Sequence, residues 1–151
     1  MNIPVIDISS LVNQSANSKE LNKTINEITN ACQNEGFFLI KNHGVPNVII
    51  DNLSKDTCDF FDLPLHLKNK FFSEDQIKYP YGYMGIGYEN LNASHDLHTK
   101  VLPDLKESFS IGNKLLETKW PSKPLRFEES WIKYYQNMVI IANKLLEVFA
   151  L

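Results

Sequence analysis

One stretch of the sequence indicates the fold of the first half of this chain: Gly36-Phe37-Phe38-Leu39-Ile40-Lys41-Asn42-His43-Gly44-Val45. Four consecutive apolar residues lie between a glycine and an Asn-His-Gly sequence, which is typical of a short buried strand bounded by turns. Gly36 supplies a C-terminal stop for a preceding helix. Gly44 can take a positive φ, and Pro46 suits the first turn of a second helix. The stretch therefore predicts the order helix, strand, turn, helix.

Apolar periodicity on both sides of this stretch predicts further short elements. The first helix is expected to begin at a Ser18 cap, and the second helix to end near Asp62, ahead of the helix-breaking Pro64. The remaining expectations are a strand over 3–8, a polar loop over 9–18, a short helix over 65–72, a turn that enters an irregular strand in the aromatic and glycine-rich residues 79–88, a loop over 89–104 and a strand over 105–111.

The strand predicted over 105–111 has two chemically different faces. Alternation places the apolar residues Leu105, Phe109 and Ile111 on one face together with Glu107. The opposite face carries the polar side chains of Lys106, Ser108 and Ser110. A carboxylate on the apolar face needs a partner, so we expect a lysine or backbone donors beside Glu107.

A long helix is predicted from Phe127 to the last residues. Its apolar stripe contains Phe127, Trp131, Tyr134, Met138, Ile141, Leu145 and Phe149. Residues 148–151 are mostly apolar and include neither a glycine stop nor a polar cap, so the chain is expected to stop within a larger fold. The same stripe would also serve to bind a partner protein on the Trp131/Met138/Leu145 face.

Composition excludes several classes of protein. The 151 residues fit one domain, and 43% hydrophobic with 22% charged residues is typical of a soluble globular protein. A net charge of −3 argues against a general nucleic-acid binder. No apolar run approaches the ~20 residues of a membrane span, and the first residues predict no secretory signal. Cys32 and Cys58 are expected to be reduced core thiols of a cytoplasmic protein.

Two local clusters could suggest a site. Asn42 and His43 precede Gly44 and are expected to satisfy backbone groups of a turn, not to act in catalysis. His95, Asp96 and His98 form a local group of metal-capable side chains, for which we expect a solvated loop and keep metal binding as an alternative.

The order of motifs along the chain resembles the N-terminal region of the isopenicillin N synthase-like, 2-oxoglutarate- and Fe(II)-dependent oxygenases. The motifs are, in chain order, Ile3-Pro4-Val5-Ile6-Asp7, Ala31-Cys32-x-x-x-Gly36-Phe37-Phe38, Ile40-x-Asn42-His43-Gly44-Val45, Phe60-Phe61-x-Leu63-Pro64, Lys68, Tyr81-Gly82-Tyr83 and Asp104-x-Lys106-Glu107-x-Phe109. The block from Gly36 to Val45 is the most specific of them.

This resemblance implies an α+β fold, in which helices and a few short strands flank and extend a jelly-roll core that is absent from residues 1–151. In the family an His-x-Asp pair and a distant His hold Fe(II), and an Arg-x-Ser motif binds 2-oxoglutarate. Arg126 is the only arginine and is followed by Phe-Glu. The four histidines of the sequence are His43, His66, His95 and His98. None of them begins an His-x-Asp or His-x-Glu motif. We therefore expect no metal ligand, no catalytic residue and no cofactor in this chain alone.

The resemblance also gives expectations for the complete enzyme. It would couple decarboxylation of 2-oxoglutarate to hydroxylation, desaturation or ring closure of a small organic substrate. This segment would pack against the missing jelly-roll half and supply one wall of the substrate pocket, with Tyr83, Ser108 and Ser110 as candidate lining residues. The alternatives are a turn with packed aromatic rings for Tyr83 and the solvent-facing side of a half-exposed strand for the two serines. The alternative is a free-standing, non-catalytic protein that derives from the family and binds a partner through its last helix.

Overall fold

The computed structural model of the chain describes residues 3–13, 16–72, 81–88, 104–111 and 118–150. The fold is α+β, as predicted. In chain order the elements are β1 (Val5–Asp7), α1 (Ser9–Val12), α2 (Ser18–Asn34), β2 (Leu39–Lys41), α3 (Asn47–Phe61), α4 (Leu65–Lys68), a 3-10 helix (Asn69–Phe71), β3 (Gly82–Met84), β4 (Ser108–Ser110) and α5 (Phe127–Phe149). The chain forms two compact units, one of residues up to Asp51 and from Lys133 onward, the other of Asn52–Ile132.

The first unit contains a two-stranded parallel sheet. β1 and β2 pair with Val5 opposite Leu39 and Ile6 opposite Ile40, and α2 provides the crossover that parallel strands require. The inner face of the sheet packs on apolar residues of the helices. The buried members of this core are Ile6, Ile8, Ile28, Ala31, Val45, Ile141 and Val148.

The ends of α2 are fixed by local chemistry. Asn17, not Ser18, is the N-cap: its side chain accepts a hydrogen bond from the Glu20 N–H at 3.0 Å, and the Glu20 carboxylate accepts one from the Asn17 N–H at 3.4 Å. The expected Ser18 cap is therefore wrong by one residue, because Asn17 has the glutamate partner three residues on. Gly36 ends the helix as predicted, with φ at +82° and its N–H donating to the Ala31 carbonyl at 2.9 Å.

The Asn-His-Gly turn forms as predicted. Asn42 and Gly44 take φ values of +55° and +77°. The Val45 N–H donates to His43 Nδ1 at 3.1 Å, and Asn42 Nδ2 donates to Asp7 Oδ2 at 2.6 Å. These side chains thus stabilise the turn and join it to β1.

The strand that precedes this turn is not buried, contrary to the sequence expectation. β2 is limited to Leu39–Lys41, and the Phe37 and Leu39 side chains are 47% and 55% exposed. Only one face of the sheet meets the core of this unit, so alternate residues of the apolar run remain uncovered.

The second unit is built around aromatic rings. The Phe60 ring in the last turn of α3 lies 4.8 Å from that of Phe127, 5.3 Å from that of Phe109 and 6.0 Å from that of Tyr83, measured between ring centroids. All four residues are buried. Tyr83 and Phe109 are opposite each other in the antiparallel β3–β4 ribbon. The ribbon is thereby fixed to the helices by one shared aromatic core.

Four other expectations are corrected. Residues 9–18 include the short helix α1, and residues 65–72 divide into α4 and a 3-10 helix. The strand predicted over 105–111 is only Ser108–Ser110, so the alternation does not reach Leu105, which is 90% exposed. Cys32 and Cys58 are free, as expected, but both are exposed and not in a core. Cys32 follows the buried Ala31 and so points to another side of α2.

The apolar stripe of α5 is confirmed for most of its length. Phe127 and Ile141 are buried, but Phe149 is 56% exposed and Val148 takes the buried place at this end. Trp131 packs against the aromatic core of the second unit, and Met138 and Leu145 pack against the core of the first, so the Trp131/Met138/Leu145 face is used within the chain. Partner binding on that face stays a prediction. Within the described residues no helix is both long and apolar enough to cross a membrane.

The structure predicts different costs for alanine at two glycines of positive φ. A Cβ on Gly82 would lie 2.5 Å from the Phe71 carbonyl oxygen, whereas a Cβ on Gly36 meets nothing within 4 Å. Gly36→Ala should lower the free energy of unfolding by about 1–2 kcal/mol through its φ alone. Gly82→Ala should cost about 1–3 kcal/mol more, because the backbone must move. Urea denaturation measures both, and equal losses would contradict the clash.

Candidate functional site

The candidate site is the β3–β4 ribbon of the second unit. Its two faces differ, as the alternation in the sequence predicted. Tyr83 and Phe109 point into the aromatic core, while Ser108 and Ser110, on the other face of β4, are half-buried. The register places Ser110 opposite Gly82 and Ser108 opposite Met84.

Lys68 attaches this ribbon to the end of α4. Its ammonium donates to Glu107 Oε1 and Oε2 at 3.0 and 2.8 Å and to the Phe61 carbonyl at 2.7 Å. An ammonium has three donors, and three acceptors surround this one. The Lys68 Nζ also lies 5.6 Å from the centroid of the Tyr83 ring. Lys68 is only 7% exposed, whereas the Glu107 side chain is 26% exposed, so the ion pair is partly buried.

Tyr83 completes the arrangement, which we call the Lys68–Glu107–Tyr83 cluster. The Tyr83 hydroxyl donates to Glu107 Oε2 at 2.6 Å, and its side chain is fully buried. The Glu107 carboxylate thus accepts hydrogen bonds from a lysine and a phenol. Of the two expected kinds of partner for Glu107, a lysine or backbone donors, the lysine is present. The second donor, Tyr83, is a partner that the sequence did not predict.

The cluster changes the protonation behaviour of its members. Burial opposes the charge on Glu107, but the hydrogen bonds from Lys68 and Tyr83 and the charge of Lys68 outweigh it, so the pKa of Glu107 lies below its ordinary value. Burial raises the pKa of the Tyr83 phenol well above its ordinary range, and the hydrogen bond to the Glu107 carboxylate adds to this effect. Tyr83 is therefore a hydrogen-bond donor, and Glu107 a charged acceptor, at neutral pH.

A second buried carboxylate lies in the same unit. Asp56 of α3 accepts a short hydrogen bond from the Ser130 hydroxyl of α5. Arg126 Nη2 lies 3.9 Å from Asp56 Oδ1. The single arginine of the chain thus lies beside a buried carboxylate, while its own side chain is 54% exposed.

The predicted pocket residues fall into two groups. Tyr83 is enclosed in the aromatic core, so its part in the described structure is to hold the ribbon. Ser108 and Ser110 are partly accessible and lie on the face away from that core. The assignment of all three residues to a substrate pocket stays a prediction.

The described residues do not fit the family's iron site. Among them, no group of three or more His, Cys, Asp or Glu side chains is placed to hold a metal ion. His43 is used in its turn, where it accepts the Val45 N–H. The alternative metal group of His95, Asp96 and His98 lies outside the described residues.

Removing one charge of the cluster should destabilise the chain in a pH-dependent way. Glu107→Gln leaves Lys68 buried without its counter-charge and should cost about 3–5 kcal/mol at neutral pH. Because the folded-state pKa of Glu107 lies below its ordinary 4.5, the charged carboxylate stabilises the fold above that pH, and this contribution is lost as the pH falls through the folded-state pKa. The stability difference between parent and variant should therefore shrink below pH 4.5 in urea titrations.

A double variant is the control for this prediction. Lys68→Met with Glu107→Gln removes both charges together and keeps an amide oxygen as acceptor for the Tyr83 hydroxyl, so it should be more stable than Glu107→Gln or Lys68→Met alone. A double variant as unstable as the less stable single variant would contradict the ion-pair interpretation.

A family model matches most of the chain. The model is described as non-haem dioxygenase in morphine synthesis N-terminal, and it covers residues 3–134. Among curated proteins, the chain is 31% identical over 152 residues to 2-oxoglutarate-dependent dioxygenase 11 of Oryza sativa subsp. japonica. The aligned region covers 99% of this chain and 39% of that protein. It is also 31% identical over 154 residues to S-norcoclaurine synthase 1 of Coptis japonica, covering 99% of this chain and 40% of the relative.

Solved structures agree on the fold. A full-length protein of Neurospora crassa, solved in complex with alpha-KG, superimposes with a TM-score of 0.76 at 21% identity, over 98% of this chain and 46% of that one. A 2OG-Fe(II) oxygenase family protein from Caulobacter crescentus gives a TM-score of 0.71 at 20% identity, over 98% of this chain and 47% of that one.

The chain spans about two-fifths of the length of the curated relatives it matches. With its ordered motifs and its fold, the chain belongs to the non-haem dioxygenase N-terminal family, the amino-terminal region of the 2-oxoglutarate-dependent oxygenases.

Proposed function

We propose that this chain is the N-terminal part of a cytoplasmic, 2-oxoglutarate- and Fe(II)-dependent oxygenase that acts on a small organic substrate. In this proposal the chain supplies one wall of the substrate pocket, and other residues of the complete enzyme hold the iron and the 2-oxoglutarate that supply the oxidising chemistry. The free, exposed thiols of Cys32 and Cys58 are consistent with a reducing compartment.

The observation that carries the proposal is the ribbon held by the Lys68–Glu107–Tyr83 cluster. Among the described residues, the cluster and the aromatic core occupy one face of the ribbon, so the opposite face is the one that we assign to a ligand. A hydroxyl group both donates and accepts hydrogen bonds. Ser108 and Ser110 could therefore position a polar, uncharged part of a substrate.

Positioning requires a wall that does not move. The Lys68 ammonium joins α4 to the residue directly before β4, and the Tyr83 hydroxyl joins β3 to the same carboxylate. These bonds fix the register of both strands with respect to the helices. Catalytic and binding groups act best when packing and hydrogen bonds of this kind hold them in place.

A second candidate function is supported by one observation. Four large apolar residues of α5 are exposed by 38–60%, namely Val139, Ile140, Leu146 and Phe149. They lie on other sides of the helix than the buried Ile141 and Val148. An apolar surface of this kind is typical of a protein interface. It would serve a free-standing, non-catalytic protein as well as a segment of an oxygenase.

A fusion protein tests the first candidate against the second. Residues 1–151 replace the matching region of the rice 2-oxoglutarate-dependent dioxygenase 11, and succinate release from 2-oxoglutarate is measured with Fe(II) and ascorbate. We expect the fusion to turn over about tenfold faster than the remaining part of the rice enzyme alone, since the missing segment is restored. A fusion that folds and releases no succinate above that background would contradict the proposal and favour the partner-binding protein.

Serine substitutions on the ribbon test the pocket wall. In the active fusion, with the organic substrate that most stimulates succinate release, Ser108→Phe and Ser110→Phe should each raise KM about tenfold, because the ring fills space and removes a hydroxyl. Substrate-independent succinate release should stay unchanged. The matched control is Ser54→Phe on the exposed side of α3. Unchanged KM in both ribbon variants would exclude them from the wall.

A further inference from the structure

One edge of β1 has no partner strand in the described part of the chain, where β1 pairs with β2 alone. The Pro4 carbonyl accepts a hydrogen bond from the Leu39 N–H at 2.9 Å, and the Ile8 N–H donates to the Lys41 carbonyl at 3.1 Å. Backbone groups of successive strand residues point to opposite edges, so the N–H and C=O of Val5 point away from β2. An edge of this kind is a template on which a further strand can pair.

A groove of about 420 Å³, which we call the edge groove, runs along this edge. One wall is formed by residues 4–6, at β1. The other wall is one stripe of α2 and its C-cap, at helical spacing: Glu27, Asn30, Ala31, Asn34 and Glu35. The next outward carbonyl of β1, that of Asp7, already accepts a hydrogen bond from the Thr24 hydroxyl at 3.3 Å, so the free part of the edge is short. The space suits a few residues of extended chain beside Val5.

The helix wall of the edge groove is negatively charged. Glu35 is half-buried, and within the described residues its carboxylate has no cation and no hydrogen-bond donor. It follows the last residue of α2, where the helix dipole has its negative end. Glu27 is paired with Lys23 at 3.7 Å, in a weak surface pair whose lysine side chain is 77% exposed. Two carboxylates and a helix C-terminus therefore favour a cation in the groove.

The two walls present different chemistry to the two faces of an added strand. Ala31 of the helix wall belongs to the same core as Ile6, so α2 lies on the face of β1 opposite to the Val5 side chain. Alternate side chains of an added strand point toward α2 and its two carboxylates. The others lie beside the Val5 side chain, which is 56% exposed and suits an apolar cross-strand neighbour.

We propose that the edge groove binds an extended segment of a partner protein in which lysine or arginine alternates with β-branched apolar residues. The segment adds a third strand to the sheet through the N–H and C=O of Val5, and its cations meet Glu27 and Glu35. A second copy of the chain fits less well, because pairing of two β1 edges brings the same carboxylates of both copies together, and like charges repel.

Peptide binding tests the edge groove. The probe is acetyl-Thr-Val-Lys-Val-Lys-Val-Thr-amide, titrated into the complete chain while the backbone amide signals are followed by NMR. We expect saturable shifts of the Val5 amide and of amides over 27–35. A peptide with glutamate in place of both lysines should bind at least about tenfold more weakly, because its charges are repelled. The lysine peptide N-methylated at every valine and lysine keeps its charges but lacks strand donors, and should lose affinity to a similar extent.

Substitutions on the helix wall test the charge complementarity. Glu27→Gln with Glu35→Gln should lower the affinity for the lysine peptide about tenfold, since both counter-charges are removed. Neither side chain is fully buried, so the circular dichroism spectrum should be unchanged. The matched control is Glu128→Gln, which removes an exposed carboxylate from the first turn of α5 and should leave the affinity unchanged.

Four results would overturn the proposal. The first is the absence of a saturable Val5 shift with the lysine peptide at about 1 mM. The second is equal affinity for the N-methylated peptide, which would reduce the interaction to charge alone. The third is unchanged affinity in the glutamine double variant, which would place the peptide elsewhere. The fourth is a Val5 shift that grows with protein concentration without peptide, which would assign the edge to a second copy. None of these readouts depends on succinate release, so the proposed function is tested separately.

Discussion

The ion pair between Lys68 and Glu107 is the interaction on which the candidate site depends. It joins two residues 39 positions apart, with the lysine buried and the glutamate partly exposed. Such a pair adds little net stability, because desolvating both charges offsets most of their attraction. Its effect is on specificity: one carboxylate is satisfied only when α4, β3 and the start of β4 adopt a single relative arrangement. Every donor of the lysine ammonium has an acceptor in that arrangement.

The aromatic core adds the free energy that the ion pair does not supply. Phe60, Phe109 and Phe127 come from α3, β4 and α5, and their rings meet at centroid distances of 4.8–5.3 Å. Burial of large rings is strongly favourable, and their packing geometry adds to it. The division of roles is thus clear within this unit: apolar burial stabilises it, and the charged cluster fixes the position of the ribbon that carries Ser108 and Ser110.

Features set by local chemistry could be predicted from the sequence, and features set by packing could not. Gly36 and the Asn-His-Gly turn were predicted correctly because their backbone conformations depend on the residues themselves. The lysine partner of Glu107 was predicted in kind, but which lysine it is depends on the fold. Predictions of burial were wrong most often. Leu39 and Cys32 were expected to be buried, but the fold leaves both exposed. The first helix cap was misplaced because both Asn17 and Ser18 can cap a helix, and only the glutamate at position 20 distinguishes them.

The proposal that these residues form the N-terminal part of a 2-oxoglutarate- and Fe(II)-dependent oxygenase is tested most directly at the level of the transcript. The measurement is the sequence of the full-length transcript that contains the codons for residues 1–151. We expect one reading frame to continue beyond Leu151 into an His-x-Asp pair, a distant His and an Arg-x-Ser motif. A stop codon directly after Leu151 in every transcript, with no such frame, would contradict the proposal.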